Sequence, residues 1–361
     1  MNQPRKILVF RIGSLGDTLI AIPAIKVLKA QWPNAEFHLL GNASPDGRVM
    51  GADIFDGSNF FETYLRYPLL ETLPVWKRPL ALATLAISIR RMKIDTLAYL
   101  APSVRKGEQI ARDLKFFRMA GIQRFLAMEG FGDQQSMGKS LGRLPREAEM
   151  ILERLKFDGI ETVKFNLGDK LHSLNLTEQD FSKVQAWKER LPSESGKSWV
   201  GIAPGSNQAA TVWPTERYVW VVRELIREFD LWPVVFGGAK DKTVADEMLK
   251  EWGRGYNACG ALGVRAAAAA LEKCRFYLGN DTGTMHLAAA AGIHCVGVFS
   301  AHNPVGKWDP LGVGHRILRA EIDCECCGLT VCHERNNECL RMVKEMEVLE
   351  ACREIYLKGG R

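Results

Sequence analysis

Short apolar runs alternate with longer amphipathic stretches along most of the chain. The runs "ILVF", "EFHLLG", "TLAYL", "WVGIA", "WPVVFGG", "RFYLGN" and "HCVGVFS" each lead into a turn containing Gly, Pro or Asn. Between them lie segments such as "TLIAIPAIKVLKAQW" and "ERYVWVVRELIREF", in which apolar residues return at helical spacing. Strands that alternate with helices predict parallel βαβ units buried on both sheet faces. The pattern also restarts. "KILVFRIGSLGDTLIAIPAI" and "WVGIAPGSNQAATVWPTERYVWVV" both read as strand, glycine turn and helix. Between the two halves, "TEQDFSKVQAWKERLPSESGKS" reads as a helix followed by a Pro/Ser/Gly linker. The expected organisation is an N-terminal domain over 1–185, a C-terminal domain over 186–345, and a final helix over 346–361 that crosses back. The fold class is α/β: two Rossmann-like domains facing across a cleft, with ligands at the carboxyl ends of the strands.

Candidate chemistry gathers at the strand-to-helix turns. In "RFYLGNDTGTMHLAAAAG" a strand ends near Asn280, and Asp281 or Thr282 is placed to N-cap a helix that stops at Gly292. The amides of Thr282, Gly283 and Thr284 then point from a helix N-terminus. Bare N–H groups and the helix dipole make a diphosphate site without a lysine. His286 lies one turn further on, where it either reaches the same anion or holds the loop. Gly205 and Ser206, after the strand "WVGIA", offer amides to the same crevice, and Asp241 in "FGGAKD" is placed to accept from a ribose hydroxyl.

Several segments together resemble glycosyltransferase family 9, the family of the ADP-heptose:lipopolysaccharide heptosyltransferases. They are "RIGSLGDTLIAIPAI", "PGS" with "WPTERY", "FGGAKD", and "GNDTGTMHLAAAAG" followed by "SAHNPVGKWDPLG". The resemblance implies a GT-B fold, a nucleotide-sugar donor on the C-terminal domain and an acceptor on the N-terminal one. It also implies inverting transfer with no divalent metal or other cofactor required. Inversion needs a base to take the acceptor hydroxyl's proton, and the resemblance assigns that role to Asp17. The alternative for Asp17 is a plain N-cap of a helix beginning at Thr18. Arg11, Gly13, Ser14 and Gly16 then belong to the acceptor side, with the glycines as clearance and Arg11 orienting Asp17 or the acceptor. One position departs from the family pattern. Thr211 stands where a basic residue usually helps neutralise the leaving diphosphate. Its hydroxyl remains as a phosphate donor, and Lys240, Lys242 or Lys307 are candidate replacements for the charge.

Composition narrows the partners. The chain has 361 residues, 47% hydrophobic and 25% charged, with a formal net charge of +6. That length suits two domains of a soluble protein, and no run approaches the ~20 apolar residues of a membrane span. The expected location is the cytoplasm. Between Trp76 and Arg124 eleven Lys and Arg residues face three acids, a larger excess than that of the whole chain. Such a region is either an ordinary solvated face or a surface for an anionic glycolipid or glycan acceptor and the inner membrane surface. No nucleic-acid motif accompanies it.

Five of the nine cysteines fall in "CECCGLTVCHERNNEC". Cys324, Cys327, Cys332 and Cys339 have the spacing of a structural zinc site; packed thiols, disulfides or an iron–sulfur cluster are the alternatives.

The reading is an inverting, metal-independent glycosyltransferase. It moves a sugar, with ADP-heptose as the foremost donor among nucleotide-sugars, onto a lipopolysaccharide core or related glycan. A GT-B nucleotide-sugar epimerase and a non-catalytic nucleotide-sugar-binding protein are the rivals. A nicotinamide dehydrogenase is disfavoured, because no G-x-G-x-x-G with a downstream ribose carboxylate follows a strand.

Overall fold

The computed structural model describes residues 3–42, 49, 51–132, 142–162, 173–194 and 196–359. The chain divides into two compact units, one comprising 1–137 with 145–171 and the other 138–144 with 172–361.

The first unit is built on β1 Lys6–Phe10, β2 Glu36–Asn42, β3 Thr63–Tyr67, β4 Thr96–Tyr99 and β5 Arg124–Leu126. Its helices are α1 Leu15–Ile20, α2 Ile22–Gln31, α3 Gly51–Phe55, α4 Arg78–Met92, α5 Gly107–Met119 and α6 Glu147–Lys156. The strands pair in the order β3-β2-β1-β4-β5, all parallel. β1 registers Ile7 against Phe37 on one side and Thr96 on the other, so "ILVF" is buried on both faces. Leu8, Phe10, Leu97 and Tyr99 pack on Leu85 and Ile89 of α4 and Phe117 of α5. Burying each such side chain contributes about 1.5–3 kcal/mol.

The second unit opens with α7 Glu178–Lys188 and continues through β6 Trp199–Ala203, α8 Thr215–Phe229, β7 Trp232–Val235, α9 Lys242–Trp252 and β8 Tyr256–Asn257. α10 Val264–Glu272, β9 Cys274–Asn280, α11 Gly283–Ala290, β10 Cys295–Phe299, β11 Arg316–Arg319, α12 Glu338–Met342 and α13 Glu345–Leu357 complete it. The sheet order is β11-β10-β9-β6-β7-β8, again all parallel. From its first strand this is the 3-2-1-4-5-6 arrangement of a doubly wound dinucleotide fold. Among the described residues the first unit repeats it without the last strand. In each the order reverses beside the first strand, between β1 and β4 and between β6 and β9. These are the crevices where such sheets bind ligands.

Two differences from the sequence reading concern the ends of the second unit. α7, expected to close the N-terminal domain, packs on α10 instead. Asp180 of its Thr177–Asp180 capping box forms a buried 2.7 Å pair with Arg265, and Trp187 lies edge-on to Trp199 and Tyr256. The C-terminal helix, expected to cross back, lies on the core of this unit. Val348, Leu349, Cys352 and Ile355 meet Tyr218, Val221 and Leu225, and Tyr356 stacks on Phe229.

Candidate functional site

Two groups of sequence-selected residues lie at the two switch points. In the first unit, β1 ends at Phe10 and the chain turns through Arg11–Ser14 into α1. Ser14 is the N-cap and Asp17 the third helical residue, so the helix starts at Leu15 rather than Thr18 and Asp17 is not its N-cap. Asp17 Oδ2 accepts the Ser14 N–H (2.7 Å) and hydroxyl (2.8 Å), while Oδ1 faces the Arg11 guanidinium at 3.6 Å. Arg11 is buried and donates to the Leu100 carbonyl at the end of β4 (2.6 Å). Its position suits orienting Asp17 better than contacting an acceptor. Burial lowers the Arg11 pKa, and the charges of Asp17 and Glu147 oppose that shift.

Gly13 has φ +138°, and a Cβ there would lie 2.5 Å from the Asp17 Cβ. The space freed by this glycine is therefore occupied by the Asp17 side chain, not reserved for an acceptor. Gly16 is buried within α1.

Sequence reasoning missed two members of this group. Glu147 of α6 is fully buried and accepts the Ser103 N–H (2.7 Å); Arg154, also buried, donates to the Ala101 carbonyl (2.8 Å) and lies on the Phe131 ring. Burial pulls the Arg154 guanidinium down to about 10, with Glu147 opposing, so it stays charged at neutral pH. In "REAEMILERLK" these charges look like an ordinary solvated helix face, and nothing local marks them as buried.

In the second unit the loops after β6, β9 and β10 share the carboxyl edge of the sheet. Thr282 N-caps α11 and Asp281 precedes it; no acidic residue occupies the first turn, and the helix ends before Gly292, whose φ is +81°. Met285 N–H donates to the Thr282 carbonyl (3.1 Å), whereas the amides of Gly283 and Thr284, at the first two helical positions, have no acceptor within the helix. His286 is buried one turn on, its ring 6.4 Å from that of Trp308.

Asn280, fully buried and read from sequence only as a strand end, ties three elements together. Its Oδ1 accepts from Trp213 N–H (3.0 Å) and Tyr218 O–H (2.8 Å), and its Nδ2 donates to the Pro204 carbonyl (2.7 Å). The Gly205–Ser206 turn is thereby held beside the start of α11. Asp241 Oδ2 accepts the Gly238 N–H (2.8 Å), and a Cβ on Gly237 would lie 2.7 Å from that oxygen. Both Gly205 and Gly237 are thus bare where Asp241 packs against them.

Thr211 differs from its expected use. It is 3% exposed; its hydroxyl donates to the Gln208 carbonyl (2.9 Å) and lies 2.7 Å from the Ser206 hydroxyl. The only hydroxyl proton of Thr211 is therefore committed within the loop and is not presented to a phosphate. The three lysines separate as well. Lys240 holds Ser206 O and Asn207 Oδ1 at 2.8 Å, and Lys242 pairs with Asp246. Lys307, in the loop after β10, is buried with its ammonium 4.9 Å from the centre of the Trp308 ring, beside His286.

Cys324, Cys327, Cys332 and Cys339 line one cavity of about 80 Å³ as free thiols. Burial, and the neighbouring Cys327 and Cys339, raise the Cys324 pKa. Among the described residues no three His, Cys, Asp or Glu side chains stand in metal-ligand geometry. The spacing thus gathers the four sulfurs round one cavity. This segment supports the 206–211 loop: Ala210 N–H donates to Thr330 O (3.0 Å) and the Asn337 side chain donates from Nδ2 to Ala209 O (2.9 Å).

Among the described residues no helix is long and apolar enough to cross a membrane. Comparison with known proteins agrees with the folds just described. Lipooligosaccharide heptosyltransferase 2 of Campylobacter jejuni is 22% identical over 351 residues, covering 94% of this chain and 95% of that protein. The crystal structure of a glycosyl transferase family 9 protein from Veillonella parvula superposes with a TM-score of 0.76 at 17% identity, covering 99% of both chains. The Escherichia coli ADP-heptose lps heptosyltransferase II structure gives 0.70 at 19% identity, over 98% of this chain and 99% of that one. Those likenesses establish the α/β GT-B fold class. Residues 150–337, just over half of the chain, match the family model for glycosyltransferase family 9 (heptosyltransferase), and the chain belongs to that family.

Proposed function

We propose that this protein is an inverting, metal-independent heptosyltransferase that takes its sugar from ADP-heptose and delivers it to a lipopolysaccharide or lipooligosaccharide core. The observation that carries the proposal is the first turn of α11. It is led by Gly283, free of acidic residues, and fixed by Asn280 at the switch point of the second unit. A helix N-terminus of that kind takes the diphosphate of a nucleotide-sugar. The named relatives make heptose the foremost sugar and ADP the foremost nucleotide.

In the reaction the Asp17 carboxylate takes the proton of the acceptor hydroxyl as that oxygen attacks C1 of the donor sugar. The C1–oxygen bond to the diphosphate breaks, and ADP leaves with the bonding electrons. Arg11 and Ser14 hold Asp17 in place. The α11 amides and dipole stabilise the charge that develops on the leaving group, and Lys307, in the loop after β10, is our candidate for the charge missing at position 211. The acceptor is an anionic glycolipid, which brings the protein to a membrane surface as a peripheral contact.

The test is transfer from ADP-heptose to a heptose-deficient lipopolysaccharide core in excess EDTA, with the product's anomeric configuration read by NMR. Inverted product at an EDTA-insensitive rate is expected. Donor conversion without acceptor would identify an epimerase, and tight donor binding with no turnover would identify a binding protein.

A further inference from the structure

Helix α4 has an apolar face on each side. Leu85 and Ile89 enter the core of the first unit, as an amphipathic helix requires. On the outward side Leu80, Ala83, Thr84, Ile87 and Arg91 recur at three- and four-residue spacing, and all are exposed. The 3₁₀ turn Val75–Lys77 that leads into the helix adds two more apolar side chains. Val75 is 72% exposed, Trp76 73%, Leu80 66% and Ile87 51%. Single exposed apolar residues are ordinary on a protein surface, but a contiguous stripe of this kind marks an interaction site.

Two further features say what covers it. The hydroxyls of Thr84 and Ser88 donate to the carbonyls of Leu80 and Thr84, both at 2.9 Å, so each already has a partner inside the helix. Polar groups satisfied in this way lose little on leaving water. The charge is also one-sided. Residues 72–94 contain Lys77, Arg78, Arg90, Arg91 and Lys93 and no Asp or Glu. These cations cluster at the two ends of the apolar stripe, with Lys77 over the Trp76 ring at 4.9 Å. α5, packed beside α4, adds exposed Lys115, Arg118 and Met119. An aromatic and aliphatic stripe with basic ends, on a helix too short to span a bilayer, is the make-up of a segment that lies in a membrane interface.

We propose that the Val75–Ile87 stripe docks on an anionic phospholipid bilayer, with Trp76, Leu80 and Ile87 entering the acyl boundary and the flanking Lys and Arg meeting the headgroups. This deepens the reading of a glycolipid acceptor, because it names the surface that brings the enzyme to the membrane. The binding itself needs neither donor nor acceptor.

The test is flotation of the full chain with vesicles of phosphatidylcholine alone and of phosphatidylcholine with phosphatidylglycerol at 3:1. ADP binding and thermal unfolding are measured on the same samples. The wild type is expected to float with the anionic vesicles and to be released by salt. Trp76→Ser with Leu80→Ser should weaken that binding at least about tenfold, and Lys77→Glu with Arg91→Glu at least about 25-fold, since each cation near such a surface is worth about fivefold. ADP binding and the melting temperature should stay unchanged. Equal flotation of the Trp76/Leu80 variant, or no wild-type flotation, would overturn the proposal. So would a wild-type dimer that this variant converts to monomer, which would make the stripe a contact between copies. Vesicle binding without heptosyl transfer would instead count against the functional reading alone.

Discussion

The turn after β1 and the turn after β9 have the same origin: each leaves a parallel strand beside a switch point and enters a helix. They use the helix N-terminus in opposite ways. At α1 the third residue is Asp17, whose carboxylate takes the amide and hydroxyl of Ser14. That N-terminus carries a fixed negative charge, which a phosphate brought there would meet. At α11 the first turn carries Gly283 and Thr284 and no acid, so its amides and dipole are left for an anion. Under the proposed function, one fold element is a mount for a carboxylate in one unit and a diphosphate cradle in the other.

The comparison can be broken most severely at Asp17. Asp17→Asn keeps an oxygen for the Ser14 N–H but removes the charge, so transfer should fall by about 10²–10⁴-fold with the fold intact. Measured kcat in a coupled ADP-release assay reads this directly. Gly13→Ala leaves every charge in place but adds a methyl 2.5 Å from Asp17 Cβ and strains a backbone at φ +138°. A displacement of about 1 Å at a reacting group costs about 100-fold in kcat, with ADP affinity unchanged. Thr284→Asp puts a carboxylate into the first turn of α11, one position before the place that Asp17 takes in α1. The new carboxylate should weaken ADP binding by about tenfold, through loss of the dipole's attraction and direct repulsion. Lys307→Met should give the smallest effect, about fivefold in donor affinity, the worth of one ion pair. A larger loss there would mean that Lys307 carries more of the charge missing at Thr211 than the helix does.

Much of this layout was legible in the chain. The alternation of apolar runs with amphipathic stretches gave the parallel sheets, because strands buried on both faces must be apolar at every position. "NDTGT" gave the N-cap and glycine start of α11, because capping is local and its residue types are few. What was not legible depends on partners distant in sequence. Thr211 looked free to donate, yet its proton goes to Gln208 in a loop whose fold no pattern announces. Gly13 looked like room for a ligand, and only the position of Asp17 shows whose room it is. Glu147 and Arg154 sit in a helix with ordinary surface charge spacing, and their burial follows from packing on the first unit rather than from composition. Asn280 was passed over because a lone asparagine at a strand end is common. Its three bonds reach Pro204, Trp213 and Tyr218, 62 to 76 residues away.

The most direct test of the division between the two turns is an ADP titration of Asp17→Asn and Thr284→Asp by isothermal calorimetry, alongside the wild type. Asp17→Asn should bind ADP within about twofold of wild type, whereas Thr284→Asp should bind about tenfold more weakly. Loss of ADP affinity in Asp17→Asn with wild-type affinity in Thr284→Asp would contradict the account, because it would place the diphosphate on α1.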